Sequence, residues 1–221
     1  MIDKILSYIA PHHCCSCDRI GTILCDNCKY NITSEIKPRC VVCGRPTRLG
    51  NLCTSCQVPY EKVWVVGERA GALQRVIGLY KFERAKSAYK VLGDLLLEIL
   101  PDLPDDTIIV PIPTVSSHIR ERGYDHMLLI AKYIAKSRNL KYQTVLDRIT
   151  TTKQRQSSAK KRALQAKNAF EVVGKIDKNV PYLLIDDVMT TGATIKYASK
   201  TLQKAGANHV WVAIIARQTL D

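Results

Sequence analysis

The sequence predicts an α/β protein whose parallel sheet is flanked by helices and preceded by a small metal-binding module. Two observations carry this prediction. All nine cysteines lie between Cys14 and Cys56, and the rest of the 221-residue chain contains none. The later part alternates short apolar runs with segments of helical periodicity, which is typical of strands joined by crossover helices. We therefore expect a cysteine module over residues 1–60 and a larger domain over residues 61–221.

The charge and the hydropathy of the chain indicate which kinds of partner and which cellular location to expect. The chain carries 33 Lys and Arg residues against 20 Asp and Glu residues, a formal net charge of +13. Such a surplus favours acidic partners, either nucleic acid or phosphorylated small molecules. No apolar run is long enough to span a bilayer, and the N-terminal segment, which contains Asp3, lacks the pattern of a signal peptide. We therefore expect a cytoplasmic protein without membrane insertion.

The cysteine module consists of four CxxC pairs. Each pair places two sulfurs on one tight turn, and two pairs complete a tetrahedral set of thiolates for Zn²⁺. Taken in chain order, the pairs predict two structural zinc sites. Spacing alone leaves open a cross-braced pairing of the first CxxC with the third, and redox-active dithiols are a less favoured interpretation. The predicted metal ligands are Cys14, Cys17, Cys25 and Cys28 in the first site and Cys40, Cys43, Cys53 and Cys56 in the second, with Cys15 left over.

The larger domain is expected to alternate strands and helices from its first residues. A strand comes first, then a long stretch of helical periodicity, and then a short apolar strand that a proline ends. A polar loop, a helix and two further strands follow. The predicted ranges are a strand over 62–70, helical periodicity over 71–100, a strand over 108–113, a polar loop over 114–125, a helix over 125–138, and strands over 142–147 and 208–217.

Two groups of basic residues suit a polyanionic ligand. Arg120 and Arg122 lie in the polar loop, and planar guanidinium groups match the oxygens of a diphosphate. The segment 148–167 holds seven basic residues and no acidic one, and it is long enough to close over a site. Binding of a nucleic-acid backbone explains the same charge, and a surface helix over 160–166 is a third interpretation.

The segment 182–195, YLLIDDVMTTGATI, carries the clearest chemical signal. Its apolar start predicts a buried strand, Asp186 and Asp187 follow directly, and a hydroxyl-rich loop leads into a helix expected over 195–205 with Gly206 as its cap. N–H groups and hydroxyls at such a helix start bind phosphate, while carboxylates accept hydrogen bonds from ribose hydroxyls. The competing interpretation is an ordinary turn whose side chains cap the helix. The predicted phosphate- and ribose-binding residues are Asp186, Asp187, Val188, Met189, Thr190, Thr191, Gly192, Ala193 and Thr194.

This segment resembles the PRPP (phosphoribosyl pyrophosphate) loop of the type I phosphoribosyltransferases. Nearly the whole chain resembles the ComF family of competence proteins, in which a double zinc ribbon precedes a type I phosphoribosyltransferase domain. His126 departs from the family pattern, where glutamine is usual. The motifs that carry the resemblance are the CxxC pairs with CGRP at 43–46, VPIP at 110–113 followed by RERGYD at 120–125, and LLIDDVMTTGAT at 183–194.

The resemblance implies binding of PRPP together with Mg²⁺, and a role in DNA uptake during natural transformation. Single-stranded DNA and a helicase-like ATPase are the partners it implies. One expected function is Mg²⁺-dependent phosphoribosyl transfer to an unidentified acceptor. The alternative is a non-catalytic accessory protein that senses PRPP and binds single-stranded DNA. The implied catalytic residues are Asp186 and Asp187, and pyrophosphate is expected at Pro113, Thr114, Arg120 and Arg122.

Overall fold

The computed structural model describes residues 12–34, 39–47, 51–83, 85–149 and 169–218. Most of the basic segment 148–167 and Arg84 lie outside these residues. The elements follow in chain order as α1 (Asp26–Ser34), β1 (Lys62–Glu68), α2 (Gly71–Phe82), α3 (Ala88–Ile99), β2 (Ile108–Pro111), α4 (Ser116–Arg122), α5 (His126–Arg138), β3 (Lys141–Tyr142), β4 (Leu146–Arg148), β5 (Phe170–Val172), β6 (Pro181–Met189), α6 (Ala193–Lys204) and β7 (His209–Arg217).

Five strands form a parallel sheet in the order β1-β7-β6-β2-β3. The two longest strands, β6 and β7, lie side by side near its middle, and almost all of their residues are buried. Strands covered on both faces are apolar without alternation, which explains the continuous runs in the sequence. The strands β4 and β5 form a separate antiparallel pair. The architecture confirms the predicted α/β fold with a parallel sheet.

Each face of the sheet has its own hydrophobic core. Leu183 and Ile185 of β6 point into one core, which the helices α2, α3 and α5 cover. Tyr182 and Leu184 point into the other, which α6 and the β4–β5 pair cover. Successive side chains of a strand alternate between faces, so one buried strand supplies both cores.

The two cysteine-rich segments pack on opposite faces of the sheet. Ile23 and Leu24 of the first segment belong to the core under α2 and α3. Val41 of the second segment belongs to the core that contains Val63 and Val65 of β1. Each segment therefore adds apolar residues to a core of the sheet, and the predicted boundary between residues 60 and 61 stays a prediction.

Several predicted boundaries need correction. The strand β6 does not end before the acidic pair but continues to Met189, because β7 pairs with it along its whole length. The predicted polar loop 114–125 contains the helix α4, which Gly123 ends in the left-handed conformation at φ 81°. The helix expected over 195–205 begins earlier, at Ala193, and the expected strand 142–147 is divided between β3 and β4. The helical periodicity predicted over 71–100 belongs to two helices, α2 and α3.

The helices are short throughout the part of the chain that the structure describes. None of them there combines the length and the apolar composition that a membrane span requires.

Candidate ligand site and metal centres

The candidate ligand site lies at the carboxyl end of β6, where the strand passes into α6. Gly192 precedes the helix with φ 72°, a left-handed conformation that favours glycine. A Cβ at Gly192 would also lie 2.6 Å from Cε of Met189. The short connection 190–192 therefore turns directly from the strand into the first turn of α6. Ligands of open α/β sheets bind outside the carboxyl ends of the strands, so this turn occupies the expected position.

The start of α6 presents groups that suit an anion. The helix has twelve residues, and the N–H groups of its first turn have no partners within the helix. Thr190 and Thr191 are exposed beside this turn, and Oγ1 of Thr191 accepts a hydrogen bond from N of Ala193 at 3.4 Å. Hydroxyls and free N–H groups at the positive end of a helix dipole can hold a phosphate group.

The two carboxylates of the pair have different surroundings. Asp187 is buried, with 7% of its surface exposed, whereas Asp186 is partly exposed. Oδ2 of Asp187 lies 2.7 Å from Nζ of Lys81 at the end of α2, and it also bonds to Nε2 of His126 at the start of α5. Oδ1 of Asp186 accepts a hydrogen bond from N of Asp187 at 3.0 Å. Asp187 is thus held by residues of two helices, while Asp186 keeps part of its surface exposed.

His126 connects Asp187 to the segment that follows β2. Its Nδ1 lies 3.1 Å from Nη1 of Arg122 and 3.2 Å from Oγ1 of Thr114. Arginine can only donate, so Nη1 of Arg122 donates to Nδ1 of His126. Nδ1 of His126 is therefore the acceptor, which leaves the proton on Nε2, where it is donated to Asp187.

The environment moves the two carboxyl pKa values apart. Burial and the neighbouring charge of Asp187 raise the pKa of Asp186 to about 8. Burial opposes ionisation of Asp187 as well, but the hydrogen bond from His126 and the charge of Lys81 outweigh it. They hold the pKa of Asp187 below its usual range. The Asp187 carboxyl therefore ionises more readily than the Asp186 carboxyl.

The four residues expected to meet pyrophosphate lie after β2, but they are not equally placed. Pro113 and Thr114 are partly buried, and Thr114 joins the His126 network. Arg120 is exposed on α4. Arg122 is partly buried, and its Nε donates to the main-chain oxygen of Lys81 at 2.9 Å. The structure thus brings Thr114 and Arg122 next to the acidic pair through His126, and it leaves Arg120 at the surface.

The eight predicted metal ligands form two separate groups. In each group the four Sγ atoms lie within 4.8 Å of one another, a spacing that fits one tetrahedral Zn²⁺. The members are adjacent pairs along the chain, which excludes the cross-braced pairing, and Cys15 belongs to neither group. The first group is Cys14, Cys17, Cys25 and Cys28, and the second is Cys40, Cys43, Cys53 and Cys56.

Main-chain hydrogen bonds prepare one sulfur of each group for a metal. Burial of Cys14 favours the neutral thiol, but N–H groups of Cys17 and Cys25 point at its sulfur and lower its pKa to about 6. Cys40 has the same arrangement with Cys43 and Cys53, and its pKa is also lowered to about 6. Metals bind the thiolate, so these turns favour the ligating form. The donor sets could bind zinc.

Two residues of the site, Lys81 and His126, could not be assigned to it from the sequence. Lys81 falls in the cluster YKFER, where a solvated helix edge is an equally reasonable interpretation. His126 is identifiable only as a departure from a family pattern. Neither residue lies near Asp187 in sequence, so only the packing of α2 and α5 on the sheet reveals their contacts.

Comparison with known proteins adds relatives that span most of the chain. No family model matches the sequence. Competence protein F of Haemophilus influenzae is 30% identical and the alignment covers 88% of this chain and 90% of that protein. Competence protein ComFC of Streptococcus pneumoniae is 28% identical over 84% and 82% of the two chains. The DNA utilization protein YhgH of Shigella flexneri is 30% identical over 88% and 90%.

Solved structures give distant likenesses. The chain aligns with an orotate phosphoribosyltransferase from Aeropyrum pernix at a TM-score of 0.40 and 20% identity, covering 67% of this chain and 66% of that one. It aligns with a glutamine PRPP amidotransferase from B. subtilis at a TM-score of 0.40 and 21% identity, covering 58% and 26%.

The parallel sheet, the acidic strand end and the loop into α6 define an α/β protein with a candidate ligand site at the carboxyl end of β6 and two four-cysteine groups at its N-terminal side. The 30% identity to competence protein F over most of both chains narrows the assignment from a fold class to a family. The chain belongs to the ComF family.

Proposed function

We propose that this protein binds PRPP at the carboxyl end of β6. One observation carries the proposal: a single strand delivers Asp186 and Asp187 and then turns within three residues into the start of α6. A 5′-phosphate at residues 190–194 would place its ribose hydroxyls toward the carboxylates. One continuous segment therefore supplies both the loop proposed to bind the 5′-phosphate and the carboxylates proposed to accept hydrogen bonds from the ribose hydroxyls.

The different surroundings of the two carboxylates suit hydroxyl recognition. Asp187, ionised and fixed by Lys81 and His126, offers its oxygens as acceptors. Asp186 is partly exposed, its pKa is raised, and it becomes a stronger acceptor when it ionises. Mg²⁺, when bound with PRPP, supplies positive charge against the phosphate oxygens and the departing diphosphate.

We further propose phosphoribosyl transfer as the reaction. The bond between ribose C1 and the diphosphate oxygen breaks, and the electron pair leaves with pyrophosphate through an oxocarbenium-like transition state. A lone pair of the acceptor then forms the new bond to C1, and the proton that the acceptor loses passes to pyrophosphate or to solvent. The proposed surroundings of the leaving group are Pro113, Thr114 and Arg120, and Arg122 lies beside them on α4 with donors turned toward Lys81 and His126. In the non-catalytic alternative, the protein uses the same site to sense PRPP without transferring its phosphoribosyl group.

The names of the relatives support a cellular context for this binding. Relatives named competence protein and DNA utilization protein align with most of the chain, so we propose a role in DNA uptake. Single-stranded DNA and a helicase-like ATPase are the proposed partners, and the net charge of +13 suits the former. Nine cysteines without a disulfide among the described residues suit the reducing cytoplasm.

Thermal denaturation with ligands tests the proposal. A ligand that binds only the folded protein raises the melting temperature, so PRPP with Mg²⁺ should raise it for the wild type. Asp187→Asn should lose most of this shift, whereas Lys200→Ala, an exposed change on α6, should retain it. An equal shift in Asp187→Asn and the wild type would contradict the assigned site. Pyrophosphate release with a panel of acceptors then distinguishes transfer from sensing.

A further inference from the structure

We propose that Lys81, rather than Arg122, is the side chain that meets the diphosphate of the bound ligand. This inference rests on the proposed PRPP site. It assigns to the diphosphate of the ligand a cation that could not be identified from the sequence. Two observations support it. Nζ of Lys81 lies 2.7 Å from Oδ2 of Asp187, and Arg122 forms hydrogen bonds with Lys81 and His126.

The end of α2 places the Lys81 amine beside the acidic pair. The Lys81 side chain is 18% exposed and that of Asp187 10% exposed, so the pair lies at the boundary between the core and the site. The preceding residue, Tyr80, is buried, and its hydroxyl donates to the main-chain oxygen of His126 at 2.7 Å. The hydroxyl of Tyr124 donates to the main-chain oxygen of Tyr80. The backbone that carries Lys81 is therefore fixed against α5.

Arg122 has a different arrangement although it is also cationic. Its Nε donates to the main-chain oxygen of Lys81 at 2.9 Å, and its Nη1 donates to Nδ1 of His126 at 3.1 Å. Two of the five N–H donors of its guanidinium group are thus used within the protein, which holds the side chain of Arg122 in place and leaves it fewer donors for phosphate. We therefore assign Arg122 as a positioning residue that fixes Lys81 and His126.

The ammonium group can serve the carboxylate and a phosphate oxygen together. It has three N–H donors, and one contact with Asp187 leaves its charge able to attract a second anion. A diphosphate brought toward Asp187 would be repelled by that carboxylate without an intervening cation. Because the Lys81 backbone is already fixed, little further ordering is needed when the ligand arrives. Lys81 should consequently favour ligands that carry a diphosphate.

The test compares two ligands that differ in the diphosphate. PRPP and ribose 5-phosphate share the ribose and the 5′-phosphate, so an effect of Lys81 that acts through Asp187 weakens both ligands, whereas an effect on the diphosphate weakens PRPP alone. We expect Lys81→Gln to weaken PRPP binding about tenfold or more beyond any weakening of ribose 5-phosphate binding. Lys90→Gln, an exposed change on α3 with the same loss of charge, should alter neither affinity. All affinities are measured by calorimetry on the zinc-loaded protein with Mg²⁺.

A second measurement uses the wild type, in case Lys81→Gln folds poorly. Lysines are acetylated briefly and the labelled sites are quantified by mass spectrometry. PRPP should protect Lys81, ribose 5-phosphate should protect it less, and Lys90 should label equally in all samples.

Three outcomes would overturn the assignment. PRPP affinity within about twofold of wild type in Lys81→Gln would remove the role of Lys81 while leaving the proposed function intact. Equal weakening of both ligands would indicate a structural role alone. No binding of PRPP or ribose 5-phosphate to the wild-type protein would contradict the proposed function itself, and this inference with it.

Discussion

Nη1 of Arg217, the last residue of β7, donates to the main-chain oxygen of Cys40 at 3.1 Å. Arg217 also pairs in register with Met189, the last residue of β6, and N of Gln218 donates to the oxygen of Met189 at 2.8 Å. The second four-cysteine group is therefore attached to the carboxyl ends of β6 and β7, the end of the sheet that carries the candidate phosphate loop. One arginine side chain spans the two regions.

This contact predicts a stability effect at Arg217. Arg217→Ala removes a charged donor from a buried carbonyl and should lower the free energy of unfolding by about 1–2 kcal/mol. It should also speed the loss of metal from the second group to a chelator, while release from the first group stays as in the wild type. Urea denaturation and a zinc-sensitive dye measure the two effects. A variant as stable as Lys200→Ala, with unchanged metal release, would contradict this role.

Metal content should follow the two cysteine groups. The purified chain should hold two zinc ions, one for each group. Cys14→Ser should reduce the content to one, because a group of three thiolates and a hydroxyl binds zinc more weakly. Cys15→Ser is the matched control, since Cys15 lies outside both groups, and it should keep both ions. Elemental analysis gives the ratio of zinc to protein, and equal ratios in the two variants would disprove the assignment.

The raised pKa of Asp186 predicts an unusual dependence of stability on pH. Its pKa is about 8 in the folded chain, against an ordinary value of 3.8. Between these values the folded protein holds more protons than the unfolded one, so stability falls as pH rises toward 8. Asp186→Asn, which cannot ionise, should melt about 4 °C or more above wild type at pH 8.5, with a smaller difference at pH 5. Melting curves at the two pH values check this, and a gap that widens toward pH 5 would refute it.

Packing between α3 and α5 depends on a glycine. A Cβ at Gly93 would lie 2.3 Å from Cδ1 of Tyr133, whose hydroxyl donates to Asp94. Gly93→Ala should therefore destabilise the protein by about 1–3 kcal/mol. Gly78→Ala in α2 is the matched control, because no atom lies within 4 Å of its added Cβ. The control should be neutral or more stable by up to about 1 kcal/mol in the same denaturation experiment. Similar values for both variants would contradict the packing.

Local patterns predicted the strands and the metal groups because the signal lies within short segments. The CxxC pairs specify their own turns, and the run before Asp186 is apolar because β6 is covered on both faces. The same patterns placed the strand end too early. Two carboxylates suggested a loop, but hydrogen bonds from β7, which is distant in sequence, extend β6 through them to Met189.

The surroundings of the acidic pair could not be predicted from the sequence. Lys81, His126 and Asp187 come from three elements that are far apart along the chain, and their meeting depends on how α2 and α5 pack on the sheet. Arg122 shows the same limitation. Its charge suggested a ligand contact, but its position turns two of its donors toward Lys81 and His126.

Isothermal titration of the zinc-loaded protein with PRPP, with and without Mg²⁺, tests the central claim most directly. The account predicts heat that fits one site and requires Mg²⁺, and it predicts loss of that heat in the double variant Asp186→Asn, Asp187→Asn. Absence of heat in the wild type, or an identical isotherm in the double variant, would contradict a PRPP site at the end of β6.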